Sequence, residues 1–151
     1  MEPVYFYVPH AEYGCFSNFS PHGFELDGTY WKTSEHYFQA QKFVGTDYAE
    51  LVRKAATPKQ AAEIGRRRDL PLRTDWEQVK DDVMRRAVLK KFATHADLRT
   101  VLLSTGERDI VENAPNDCYW GCGRDGTGKN RLGQILMETR AILRQREPSE
   151  S

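Results

Sequence analysis

No stretch of this 151-residue sequence approaches the ~20 consecutive apolar residues that a membrane-spanning helix needs. The mean hydropathy is −0.70, and no membrane association is expected. An excess of one charge is also missing. Lys plus Arg and Asp plus Glu stand at 22 each, which argues against a general nucleic-acid coat protein but leaves a local basic groove open. Cysteines number three, an odd count that rules out a complete disulfide framework. The opening residues, MEPVYFYVPH, show neither a basic segment nor a small-residue cleavage site, so a reducing cytoplasm is the expected compartment. Repeats and linkers are absent. The length favours one domain, expected over residues 1–147 with a frayed tail at 148–151.

Aromatic residues are plentiful: three Trp, seven Tyr and seven Phe, many beside polar neighbours. They suit a pocket for a flat ligand, and they equally fill ordinary cores.

The pattern along the chain is mainly helical, with a few short strands near the N-terminus. VYFYV at 4–8 reads as a strand ended by Pro9, and Asp27-Gly28 between FEL and TYW reads as a hairpin turn. Helices are expected from Thr33 or Ser34 to about Gly45, at 48–56, at 58–65, at 76–93, at 97–104 and at 131–146. Thr57, Pro58 and Gln60 form the clearest start, with a capping box. Thr74 with Glu77, or Asp75 alone, is expected to cap the long helix. RDIVE at 108–112 is a further strand candidate. Asn113 to Lys129 is a long loop of a kind that usually carries function, and Asn130 is expected to cap the last helix. Its apolar stripe is Leu132, Ile135, Leu136, Ile142 and Leu143. A doubly wound sheet would need strands between the helices, and those strands are missing.

The most informative stretch is WKTSEHYFQAQKF, Trp31 to Phe43. On a regular helix Glu35, Gln39 and Lys42 fall within roughly 60° of one another. Tyr37, Ala40 and Val44 fall opposite, on the side expected to be buried. Spacing alone favours an ordinary solvated face. The chemical alternative is a carboxylate for proton work beside an amine that burial can activate as a nucleophile.

Other constellations are weaker. GRDGTGKN, Gly123 to Asn130, nearly matches a phosphate loop, but Asn130 stands where a magnesium-binding Ser or Thr belongs and no buried strand precedes it. A glycine-rich approach to a helix N-terminus can still hold an anion. Cys15, Cys118, Cys122 and the four scattered histidines do not match zinc spacing, so no metal is expected. Trp76 and Trp120 each read as a core anchor or a stacking wall, and Asp117 as a group that orients a hydroxyl or activates water. Arg66-Arg67-Arg68 can bind phosphate, although a bare basic run is more often solvated.

Taken together and in order, CFSNF (15–19), TSEHYFQAQKF (33–43), DWEQVKDDVM (75–84), KF (91–92), TG (105–106) with IVE (110–112), and NDCYWGCGRDGTGKNRLGQILM (116–137) resemble the NADAR superfamily, of the YbiA-like N-glycosidase type. The resemblance covers about residues 5–145. It implies a compact, mainly helical domain that cleaves the bond between a phosphorylated ribose and a base-like group. Two substrate classes are implied: ribosylamino-pyrimidine phosphates, which are early riboflavin intermediates, and ADP-ribose on guanine bases of nucleic acid. Zero net charge favours the small molecule. A non-catalytic ADP-ribose or nucleotide reader is the rival from another class.

By the same resemblance Glu35 is the essential carboxylate and Lys42 the amine that captures the anomeric carbon as a Schiff base. Asp117 assists, Trp76 and Trp120 stack on the leaving group, and Asn18, Phe19, Gln39 and Gly121 complete the substrate-binding set. No metal, redox cofactor or obligate protein partner is implied. Two positions depart from the pattern: Lys32 stands where proline is frequent, and Cys122 where relatives often carry an acid.

Overall fold

A computed structural model describes residues 1–146; the tail expected at 148–151 lies outside the described residues. In chain order the elements are β1 (Val4–Phe6), a 3-10 turn (Gly14–Phe16), β2 (Phe24–Leu26), β3 (Thr29–Trp31), α1 (Ser34–Gln41), α2 (Asp47–Arg53), α3 (Pro58–Gly65), α4 (Trp76–Thr94), α5 (Ala96–Ser104), β4 (Ile110–Glu112) and α6 (Arg131–Arg146). The mainly helical expectation holds. No helix among the described residues is long and apolar enough to cross a membrane. The contacts group residues 18–91 into one compact unit and, among the described residues, 1–17 with 92–146 into another.

The unit spanning 18–91 is built on α1. Its hairpin, β2 with β3, pairs antiparallel in the register Phe24–Trp31 and Leu26–Thr29. The turn works because Asp27 and Gly28 both take left-handed backbone angles, φ 56° and 77°. The hairpin is tied down by its turn: Tyr37 Oη donates to Asp27 at 3.1 Å, and Arg86 of α4 pairs with the same carboxylate. Thr33 caps α1 by accepting from the His36 N–H, and Thr57 caps α3 by accepting from that of Gln60. The Gln60 side chain reaches back one residue further than in a standard capping box, to the Ala56 N–H. At the start of α4, Arg73 donates to the Asp75 carboxylate at 2.6 and 3.0 Å.

Helix α1 differs from the amphipathic picture. Every residue from Ser34 to Ala40 is buried, on the polar stripe as well as the apolar side. After Gln41 the chain tightens into i→i+3 bonds, Lys42 N to Gln39 O and Phe43 N to Ala40 O. The tightening turns Phe43 inward and leaves Val44 half exposed at 50%, so Val44 does not belong to the buried face.

In the other unit β1 pairs in parallel with β4, Val4 beside Ile110 and Phe6 beside Glu112. Val4 and Phe6 are buried while Tyr5 points out, as strand alternation requires. Helix α6 packs on β4 and on α5 and buries Leu132, Ile135, Leu136 and Leu143. Gly133 allows the close approach, since a Cβ there would meet the Ile110 carbonyl oxygen at 2.1 Å. Ile142 is exposed and drops out of the expected stripe, while Thr139 and Arg140 are buried. Arg140 ties α6 to the α5–β4 turn through Thr105 Oγ1 at 2.9 Å and the Arg108 carbonyl at 2.7 Å.

Candidate active site

A helix buried on every side must satisfy its own polar atoms, because an unpaired one costs roughly 1–3 kcal/mol. In α1 most of them are paired. Ser34 Oγ donates to Asn18 Oδ1 at 2.9 Å. The His36 ring lies between Thr33 Oγ1 at 2.8 Å and the Ala55 carbonyl at 3.0 Å. That pairing leaves Nε2 as donor and Nδ1 as acceptor, a neutral ring, and burial lowers its pKa further. Tyr37, its hydroxyl on Asp27, is pushed up to about 12, chiefly by burial.

Glu35 and Gln39 form the core of the polar stripe. They are 8% and 6% exposed, and Gln39 Nε2 donates to Glu35 Oε2 at 2.7 Å. A carboxylate only accepts, so the amide must face it with its nitrogen. The Gln39 oxygen then turns toward Gly65 at the end of α3, where it is buried with no hydrogen-bond partner among the described residues. Glu35 also lies in the first turn of α1, where the helix dipole favours negative charge.

Lys42 follows just after the helix. Its ammonium donates to the Gly65 carbonyl at 3.1 Å. It sits 5.9 Å from the Phe38 ring centroid and 5.8 Å from that of Trp76. Burial among these groups pushes its pKa below the ordinary lysine value; Glu35 opposes the shift, and Arg66 and Lys80 add to it. Trp76, 6% exposed, meets Phe38 edge-on with centroids 5.0 Å apart. Arg73 fixes this corner by donating its backbone N–H to the Lys42 carbonyl at 2.9 Å. A cavity of about 520 Å³ opens here, lined by Lys42, Gly65, the three arginines 66–68 and Trp76, among others.

The structure thus brings Glu35, Gln39, Lys42 and Trp76 to one corner of the 18–91 unit. Asn18 is buried beneath the start of α1. Its backbone carbonyl accepts from the Glu35 N–H at 3.2 Å, and its side-chain nitrogen donates to Met84 Sδ at 3.4 Å. Phe19 beside it is partly exposed. In the sequence Gly65 marks only the end of the helix expected at 58–65. No local pattern marks a glycine that is needed because another helix's side chain packs against it.

Asp117, Trp120 and Gly121 belong to the other unit. Asp117 Oδ1 accepts from the N–H groups of Tyr119 at 3.0 Å and Trp120 at 2.8 Å, which folds the loop on itself. Trp120 meets Tyr119 edge-on at 4.9 Å. Gly121 is required by space: a Cβ would meet that of Ala114 at 2.8 Å. The glycine-rich approach to α6 departs from expectation. The N–H groups of Lys129, Asn130, Arg131 and Leu132 donate to the carbonyls of Cys118, Gly121, Tyr119 and Trp120, so the backbone that would cradle an anion is spent within the loop. Nor does the Asn130 side chain cap α6. It bonds β4 instead, accepting from Glu112 N at 2.9 Å and donating to Ile110 O at 2.9 Å.

Comparison with known proteins now adds to this geometry. The family model described as the NADAR domain matches residues 5–144. The chain belongs to the NADAR family. Among its NADAR relatives, the N-glycosidase Npun_R5314 of Nostoc punctiforme is 55% identical, the match covering 93% of this chain and 92% of that one. The N-glycosidase YbiA of Escherichia coli is 51% identical, over 93% of this chain and 88% of its own. The NMR structure of the E. coli protein YbiA superposes with a TM-score of 0.90 at 47% identity, covering 100% of this chain and 91% of that one. A longer maize protein, "Riboflavin biosynthesis protein PYRR, chloroplastic", is 44% identical over 93% of this chain and 25% of its own length.

Proposed function

We propose that this NADAR protein, a hydrolase of N-glycosyl bonds like its relatives at 51% and 55% identity, acts on ribosylamino-pyrimidine phosphates of early riboflavin synthesis. The observation that carries the reading is the presence, at one corner, of a buried carboxylate and a half-buried lysine whose pKa burial lowers. The maize relative's name favours the riboflavin side.

In the proposed reaction the neutral Lys42 amine bonds to the anomeric carbon. The bond from that carbon to the pyrimidine amine breaks, its electron pair stays with the departing nitrogen, and Glu35 supplies the proton. The bond from the anomeric carbon to the ring oxygen then breaks as the Lys42 nitrogen forms the imine, and the ring oxygen takes the proton that nitrogen gives up. Water adds to the imine carbon, its proton returns to Glu35, the bond to Lys42 breaks, Lys42 leaves as the amine, and ribose phosphate is released. Gln39 holds the Glu35 carboxylate in place. Trp76 offers an apolar wall to the flat leaving group.

The test is to incubate the protein separately with a ribosylamino-pyrimidine phosphate and with an ADP-ribosylated guanine oligonucleotide, adding borohydride during turnover. Release of ribose phosphate from the first, with a reduced sugar-phosphate adduct on Lys42 by mass, is the expected result. Turnover of the oligonucleotide alone would reassign the substrate. Binding of either without cleavage would make the protein a reader.

A further inference from the structure

We infer that Arg66 and Arg68 form the subsite for the substrate's phosphate, with Arg67 held out of it. The inference rests on the substrate class proposed above and locates its phosphate end. Arg66, Arg67 and Arg68 come from the turn after α3 and are among the residues lining the cavity that Lys42 also lines. Their circumstances differ. Arg67 is tied in a two-point pair with Asp69, at 3.1 and 2.7 Å. Arg66 and Arg68 have no carboxylate or carbonyl partner among the described residues.

Nearby cations and anions are otherwise matched. Glu77, the acid on the cavity wall, is paired by Lys80 at 2.7 Å, and the Lys42 ammonium is on the Gly65 carbonyl. The local balance left over is two unneutralised guanidinium groups on residues lining the cavity that Lys42 and Trp76 also line. Planar guanidinium forks suit the tetrahedral oxygens of a phosphate monoester or of a diphosphate. The main competitor, the N-terminus of α6, has spent its N–H groups of residues 129–132 on loop carbonyls. Arg66 adjoins Gly65, which holds Lys42. A phosphate there would leave the sugar between the arginines and the amine.

The test is calorimetric and does not depend on turnover. Ribose 5-phosphate, ribose and ADP-ribose are titrated into the wild-type protein and into Arg66→Gln, Arg68→Gln, the double variant and Arg67→Gln. Ribose 5-phosphate should bind more tightly than ribose, and each of the two single variants should lose about tenfold or more, as expected for a charge-assisted contact. Arg67→Gln should stay within about threefold, since its guanidinium is engaged at two points by Asp69. A greater loss for ADP-ribose than for ribose 5-phosphate would identify a diphosphate as the ligand group. Equal binding of ribose and ribose 5-phosphate, or equal losses in all three single variants, would overturn the subsite. Binding that follows this pattern in a protein inert toward ribosylamines would uphold the subsite and count against the proposed function alone.

Discussion

The Gln39 amide oxygen lies where a side chain at Gly65 would have to begin. A Cβ built on Gly65 comes within 1.9 Å of it, and the carbonyl of the same glycine accepts from Lys42 at 3.1 Å. One residue at the end of α3 therefore sets the position of the amine directly and of the Glu35 carboxylate through Gln39.

Gly65→Ala should accordingly cost activity more than stability. The backbone there is not left-handed, so alanine fits the chain but displaces the buried amide. Misplacing a catalytic group by about an ångström lowers turnover by up to ~100-fold. The expectation is a fall in kcat of roughly tenfold or more, with the urea midpoint little changed. An unaltered kcat would show that Gln39 does not hold Glu35 for the reaction.

The proton on Lys42 makes a second prediction. Burial lowers its pKa below 10.5, and Arg66 pushes in the same direction. The reactive neutral amine therefore accumulates as pH rises, at a pH lower than for an exposed lysine. A kcat/KM profile should rise with pH through a limb whose midpoint lies below 10.5, and Arg66→Gln should move that midpoint upward. A limb that Arg66→Gln leaves in place would assign the titration to another group.

His36 gives stability its own pH dependence. Its ring is buried neutral with a pKa lowered from 6.5, so the unfolded chain takes up the proton first. The stability contributed by the neutral ring is complete above about 6.5 and is lost as pH falls from there toward the lowered folded value. Urea midpoints measured across that window should drop on acidification, and His36→Gln should flatten the slope. An unchanged slope in the variant would remove His36 as its source.

These features were unevenly legible in the sequence. The Thr57 cap and the Asp27-Gly28 turn were readable because each depends on residues only a few positions apart. The parallel pairing of Val4 with Ile110 was not, since nothing local records a partner so distant. Val44 and Ile142 were misplaced by extending an ideal helical period past a tightened turn and off a packed stripe. The polar stripe of α1 was visible as a pattern, but its complete burial is a property of the elements packed around it. The arginine run could be seen only as a run, because the Asp69 pairing that singles out Arg67 depends on how the turn folds.

Asp117 separates a loop role from a chemical one. Its Oδ1 accepts two backbone N–H groups, which the amide oxygen of asparagine can also do. Asp117→Asn should keep the folded stability and lose turnover by roughly tenfold or more if its charge serves the reaction. Asp117→Ala should in addition lose ~1–3 kcal/mol by unfastening the loop. Full activity in the asparagine variant would confine Asp117 to shaping the loop.

The central claim, that Glu35 does proton work on a ribosyl N-glycosidic bond, is tested most directly by Glu35→Gln. The substituted amide can still accept from Gln39 Nε2, so the corner should keep its shape. Steady-state release of ribose phosphate from a ribosylamino-pyrimidine phosphate is the measurement, with ligand binding followed in parallel. The account predicts a loss in kcat of about 100-fold or more with binding largely retained. Wild-type turnover in that variant would contradict it.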